Sequence, residues 1–468
     1  MRRGPTPRAT SASTGRASPS SSTPLPAGAR ALALLTILVG GLAVGIKVGR
    51  IWWWVVRGGG GARCPSPLSL ASSAAADRAF SHIISLSPSL SHNVTPLSQT
   101  FSPALSTAFR AITSPLPPPP FPLGVASSAF QIEGAATADG KGPSIWDTFS
   151  HTPGKVLNND TGDVACDFYR RYEADIALMK SLGVTAFRFS LAWARILPAG
   201  RGAPNPAGLA FYHAVLDALA AAGIEPHVSL YHWDLPQALE DEYGGWLSPT
   251  SVDDFAAYAA LAFKEFGPKV KFWSTFNEPY TFAFCGYAYG IHAPGRCSDR
   301  AKCEAGGNSE TEPWLVSHHV LLAHAKAVEA FRTRATPGGR ISINLNAEWA
   351  EPASTSPADA AAAARYLDFQ LGLYAEPVFL TGDYPASVRA RVPSLPAFTP
   401  AQSASLKGSA DYFALNHYTS RWVRDVPPGD PAGAPADAQA LTELDGRVRK
   451  KEKKSGEGGP IEDGLGER

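Results

Sequence analysis

"KFWSTFNEPY", residues 271–280, joins an aromatic, β-prone run to an asparagine, a carboxylate and a proline. Phe272, Trp273, Thr275 and Phe276, with Val270 ahead of them, favour extended backbone. Pro279 cannot donate a ladder hydrogen bond, and it disfavours helical backbone at the residue before it. The strand therefore ends here and leaves Asn277 and Glu278 at its carboxyl end, beside apolar walls. A carboxyl group desolvated by such walls favours its neutral form, and strongly placed carboxylates cluster at functional sites. A solvated glutamate in an ordinary turn is the plain alternative.

Outward from this stretch the chain alternates. Strands are expected at 121–130 ("FPLGVASSAF"), 186–193, 225–233, 270–276, 340–349 and 410–420. Amphipathic helices are expected at 163–183, 206–223, 251–267, 311–334 and 358–380, the first three closed by glycine. Strands that alternate with helices imply βαβ units and a parallel sheet. Two architectures fit, a doubly wound sheet and a (β/α)8 barrel. Polar residues decide between them. Gln131 follows the first strand, His232 ends the third, Asn277 and Glu278 end the fourth, and Tyr418 ends the sixth. In a parallel barrel all these ends share the face that carries active sites. A doubly wound sheet calls for a glycine-rich phosphate loop after the first strand, and "SSAFQIEGAA" is not one. The reading is an α/β TIM-type barrel with six of its eight strands recognisable.

Gln, His and Asn offer the neutral donors and acceptors that sugar hydroxyls require. Trp193, Trp233 and Trp273 offer flat faces for a pyranose ring. Each has a bland reading: His232 as a satisfied core histidine, Gln131 as a cap, Tyr418 as a core tyrosine. No metal-ligand spacing surrounds His318, His319 and His324, and no G-x-S-x-G elbow is present. Neither a metal nor a cofactor is expected. A net charge of +1 gives no argument for nucleic acid, and five cysteines do not make a disulfide scaffold.

The ends of the chain differ from its middle. Residues 1–30 are basic and Ser-rich and read as disordered. Residues 31–56 form an apolar segment, "ALALLTILVGGLAVGI" followed by "IWWWVV", broken by Lys47 and Arg50. It reads first as a signal anchor, with a cleaved signal peptide or a transit peptide as alternatives. Membrane-anchored or secretory localisation follows, or a plastid. Residues 57–120 read as a Pro/Gly/Ser linker. The barrel occupies 121–424, and 425–468 reads as a disordered, non-native tail.

The stretches "FPLGVASSAFQIEGA", "GVTAFRFSLAWARILPAG", "YHWDLPQAL", "WSTFNEPY" and "DYFALNHYTS" resemble family 1 glycoside hydrolases, the β-glucosidase family, in the family's own order. "RCSDRAKCEAGGNSETEPW" is similar to the plant-type members. The resemblance implies a retaining β-glycosidase acting on a β-glucoside, with Glu278 as general acid/base. It implies sugar contacts from Gln131, His232, Trp233 and Asn277, and support of the nucleophile by Arg188 and Tyr418. It also implies a Cys297–Cys303 disulfide. The family's nucleophile motif on the seventh strand is not found. "LTELDG" echoes it at Glu443, without a preceding helix or a β-prone run. Either the chain is a truncated form of a working enzyme, the favoured reading, or it is a non-catalytic sugar-binding relative or poorly folding fragment. Transglycosylation is a further alternative.

Overall fold

Parallel strands need long crossovers, and in this chain every crossover carries a helix. The computed structural model describes Pro122, residues 124–334 and 337–426, and the backbone of 440–444. In chain order it contains β1 (Gly124–Ala126), α1 (Phe168–Ser181), β2 (Ala186–Ser190), α2 (Pro206–Ala222), β3 (Glu225–Tyr231), α3 (Thr250–Phe266), β4 (Phe272–Asn277) and α4 (Glu312–Arg334). These are followed by β5 (Arg340–Asn346), β6 (Trp349–Pro352), α5 (Pro357–Leu367), β7 (Ala414–Asn416), β8 (Ser420–Asp425) and β9 (Ala440–Leu444). Six strands form one sheet in the order β1-β2-β3-β4-β5-β7. Every neighbouring pair is parallel, and one row runs Ala126, Arg188, His227, Phe272, Arg340 across the sheet. The order follows the chain without reversal. That is the wall of a barrel and not a doubly wound sheet, which needs a switch point. The edges, β1 and β7, have three residues each. Among the described residues the two edges of this sheet therefore expose little unpaired strand backbone.

The helix ends show the local rules at work. Pro206 opens α2 behind Asn205, whose side chain accepts from the Ala207 amide at 3.2 Å. Gly223 closes it in the left-handed conformation at φ 73°. α1 starts later than expected, at Phe168, because Ala165 and Asp167 both take positive φ. Gly267 does not close α3 in a left-handed turn. It stays right-handed at φ −50° and opens a 3-10 turn, Gly267–Lys269. α5 runs on through two π turns, Asp368–Gly372 and Glu376–Leu380.

The expected fifth and sixth strands both divide. β6 and β8 continue β5 and β7 beyond the main sheet, pair with each other in parallel, and take β9 antiparallel. The tail thus contributes a strand where composition shows none, because pairing with β8 supplies the hydrogen bonds. Glu443 lies in that strand opposite Trp422, outside the main sheet. The segments 1–30, 31–56 and 57–120, and most of the expected tail, lie outside the described residues. Among the described residues no helix is long and apolar enough to cross a membrane.

β4 is buried on both faces, as a strand walled by helices outside and side chains inside must be. Trp273 and Thr275 face the helices: Trp273 meets Phe263, and Thr275 hydrogen-bonds His324 of α4 at 2.7 Å. Strict alternation would then turn Phe276 inward and Asn277 outward. The register against β5 slips between Ser274 and Asn277: Ser274 pairs with Ser342, but Asn277 pairs with Asn344. One extra residue in β4 sends Phe276 outward, to stack on Phe255 at 4.4 Å and meet Tyr231, Trp246 and Phe282. Phe276→Ala is expected to cost about 3–5 kcal/mol, and Phe276→Leu clearly less. Urea unfolding midpoints of the two variants check this.

Candidate active site

Asn277 and Glu278 stand side by side at the end of β4, but in different backbone states. Glu278 is left-handed at φ 50°, and Pro279 starts the short helix Pro279–Tyr287. A non-glycine residue held there stores about 1–3 kcal/mol of strain. The Glu278 amide donates to the Asn344 carbonyl of β5 at 2.8 Å, which helps hold the turn. Its side chain is buried, and donors meet both oxygens. Oε1 accepts from Asn416 Nδ2 at 2.6 Å and Tyr418 OH at 3.0 Å, and Oε2 accepts from Thr281 Oγ1 at 3.1 Å.

Arg188, from β2, supplies the positive charge in the site. It donates to Asn277 Oδ1, to Asn416 Oδ1 at 3.2 Å and to Ser229 Oγ at 3.3 Å. The Asn344 amide satisfies its neighbours when its oxygen faces Arg188, 3.0 Å from Nε, and its nitrogen donates to Ser274 Oγ at 2.9 Å. All four partners are neutral. Burial lowers the pKa of this guanidinium, and the Glu278 charge opposes that shift.

Arg188 also fixes the protonation of His232. Because Asn277 Oδ1 faces the guanidinium, Asn277 Nδ2 must be the donor to His232 Nε2, at 3.0 Å. The neutral ring then carries its proton on Nδ1, a buried atom with no partner in the protein. Burial, then the Arg188 charge, holds the pKa of His232 well below 6.5. Trp233 donates from Nε1 to the Asn277 carbonyl at 2.8 Å and sits at φ 77°. Tyr418 has an exposed ring and a hydroxyl that reaches inward. Desolvation, then the Glu278 charge and hydrogen bond, pushes its phenol up.

The structure therefore gathers Glu278, Asn277, Arg188, His232, Trp233 and Tyr418. Gln131 follows β1 on the turn Ala129–Ile132, exposed and without a hydrogen bond to this group. Trp193 and Trp273 are fully buried core residues and cannot meet a sugar. Their rings pack on Tyr258 and Phe263. Asn344, Asn416 and Thr281 belong to the cluster and escaped the sequence reading. Asn416 ends β7, and that position was the available signal; Asn344 lies within β5 and Thr281 on the short helix. His318, His319 and His324 are spent on Tyr384, the Trp246 carbonyl and Thr275. Among the described residues no group of His, Cys, Asp and Glu could hold a metal ion. Cys297 and Cys303 form a disulfide, with Cα atoms 5.6 Å apart.

Because the folded state holds His232 neutral and the unfolded state does not, the unfolded chain binds the extra proton. Stability from this group is present above about pH 6.5 and falls with pH below it. NMR of the ring is expected to show it still neutral as pH falls through about 6.5, where an unperturbed His would titrate. Arg188→Gln removes a positive neighbour and moves that titration upward.

The family model for Glycosyl hydrolase family 1 matches residues 115–455. Beta-glucosidase 40 of Arabidopsis thaliana is 52% identical over 313 residues, covering 66% of this chain and 61% of that protein. Coniferin beta-glucosidase of Pinus contorta is 48% identical over 320 residues, covering 67% and 62%. The chain thus spans about three fifths of the length of these relatives. A crystal structure of a rice β-glucosidase superposes with a TM-score of 0.67 at 48% identity, covering 69% of this chain and 70% of that one. A family 1 β-glucosidase of the fungus Humicola insolens, in complex with glucose, gives 0.66 at 44%, covering 69% of each. The strand order, the site at the strand ends and these matches agree: the chain belongs to glycosyl hydrolase family 1.

Proposed function

We propose that this chain forms the catalytic framework of a retaining β-glycosidase acting on β-glucosides, with Glu278 as general acid/base. The observation that carries the proposal is Glu278 itself. It is a buried carboxyl at a strand end, held by three side-chain donors, beside a guanidinium. In the first step its proton passes to the departing glycosidic oxygen. In the second it takes a proton from water. The two-carboxylate route also needs an anionic nucleophile about 5 Å from the acid. Arg188, whose hydrogen-bond partners are all neutral, offers the seat for that charge. The sugar would be gripped by His232, Gln131, Trp233 and Asn277. The glucose held by the Humicola insolens relative supports a gluco-configured ligand. The Cys297–Cys303 disulfide supports an oxidising compartment.

A second reading, sugar binding without turnover, is favoured by the same feature: among the described residues no carboxylate hydrogen-bonds Arg188. The two separate in one experiment. The full chain is assayed with a chromogenic β-glucoside, and binding of a gluco-configured iminosugar is followed by calorimetry. Hydrolysis that falls about 10²–10⁴-fold in Glu278→Gln, with the fold retained by circular dichroism, is the expected result. An unchanged rate in that variant overturns the assignment of Glu278. Saturable binding with no release of aglycone selects the second reading.

A further inference from the structure

Beneath the turn that carries His232 and Trp233 lies a second polar cluster, separate from Arg188. Glu133, Lys141, Asp147, Arg195 and Asp234 line one cavity of about 20 Å³. Most of their polar atoms are already paired. Glu133 accepts from Arg195 Nε at 2.8 Å and from Tyr212 OH at 2.6 Å. Asp147 accepts from Lys141 Nζ at 2.7 Å and from the Ser144 amide and hydroxyl at 2.7 and 2.9 Å. Two atoms remain, Arg195 Nη1 and Asp234 Oδ1, each buried and without a partner. Their residues are 1% and 3% exposed, so bulk solvent does not satisfy them.

A buried orphan donor and a buried orphan acceptor on one cavity are costly unless something serves both. The cavity exceeds the roughly 10–15 Å³ that one water needs. A water accepts from the guanidinium and donates to Asp234 Oδ1, on a carboxyl group that burial, then the Glu133 charge, pushes up to about 7. A small cation would serve Asp234 alone and would be repelled by Arg195 and Lys141. We propose that this cavity is a binding site for one internal water, bridging Arg195 Nη1 to Asp234 Oδ1, and that the bridge positions the His232–Trp233–Asp234 turn. The turn needs such support. Trp233 is held at φ 77°, and the residues after Asp234 are tied to a separate segment. Ile145 donates to the Leu235 carbonyl at 2.8 Å, and Gln237 donates to the Pro143 carbonyl at 2.9 Å. Asp234 is therefore a positioning residue for the sugar-facing pair, and its functional meaning rests on the reading given above.

The first test does not depend on activity. A high-resolution crystal structure of the full chain is expected to show one water within hydrogen-bond reach of both atoms. No density there, or density touching only one of them, overturns the proposal. The second test compares Asp234→Asn, whose amide oxygen still accepts from the water, with Asp234→Leu, which does not. Calorimetry with a gluco-configured iminosugar should give affinities within about threefold for Asp234→Asn and at least tenfold weaker for Asp234→Leu. Equal affinities in both variants and the unaltered chain overturn the positioning role. If no form binds the sugar, the functional reading fails, and the crystallographic water still decides the site.

Discussion

A single extra residue in β4 decides what this sheet can do. Without the slip between Ser274 and Asn277, Phe276 would point into the barrel and Asn277 into the helix layer. The aromatic cluster of Tyr231, Trp246, Phe255 and Phe282 would lose its central ring. Arg188 and His232 would lose the amide that both of them contact. Packing outside the sheet and polarity inside it are thus the two sides of one irregularity. The left-handed turn at Glu278 follows directly, because the chain must pass from that bulge into a helix beginning at Pro279.

The polar interior is organised around a charge that side chains receive without neutralising. Arg188 is met by three amides and one hydroxyl, each with its orientation set by the guanidinium. Orientation then spreads outward. Asn277 passes it to His232, and Asn416 passes it to Glu278. A permanent cation therefore dictates the tautomer of a histidine it does not touch and the donor presented to the acid. Preorganised dipoles of this kind do not need to rearrange when charge moves during a reaction.

Much of this was legible in the sequence, and the parts that were not have physical reasons. The alternation of strands and helices, and the polar residues at strand ends, carry the architecture and bring Glu278, Asn277, His232 and Tyr418 to one face. Trp193 and Trp273 misled because an indole looks the same in a core as in a sugar site. Only the face of the strand or turn distinguishes them, and the slip in β4 blurs the period that would reveal it. Asn344, within β5, and Asn416, at the end of β7, passed unnoticed because an amide carries no charge to mark it. β9 was invisible because its five residues gain their extended form from β8 and not from their own propensity.

The small sheet of β6, β8 and β9 has a mechanical consequence. Its first two strands are direct continuations of β5 and β7, separated from them by two and three residues. Tyr418 lies in the second of those connections, one residue from β8, while Asn416 still belongs to the barrel wall. The acid is thus held by one donor fixed to the wall, Asn416, one on the short helix after β4, Thr281, and one on the connection to the small sheet, Tyr418. A shift of the small sheet about these connections would draw the phenol hydroxyl from Glu278 and leave the two other donors in place, so the rim meets the carboxyl group through one hydrogen bond.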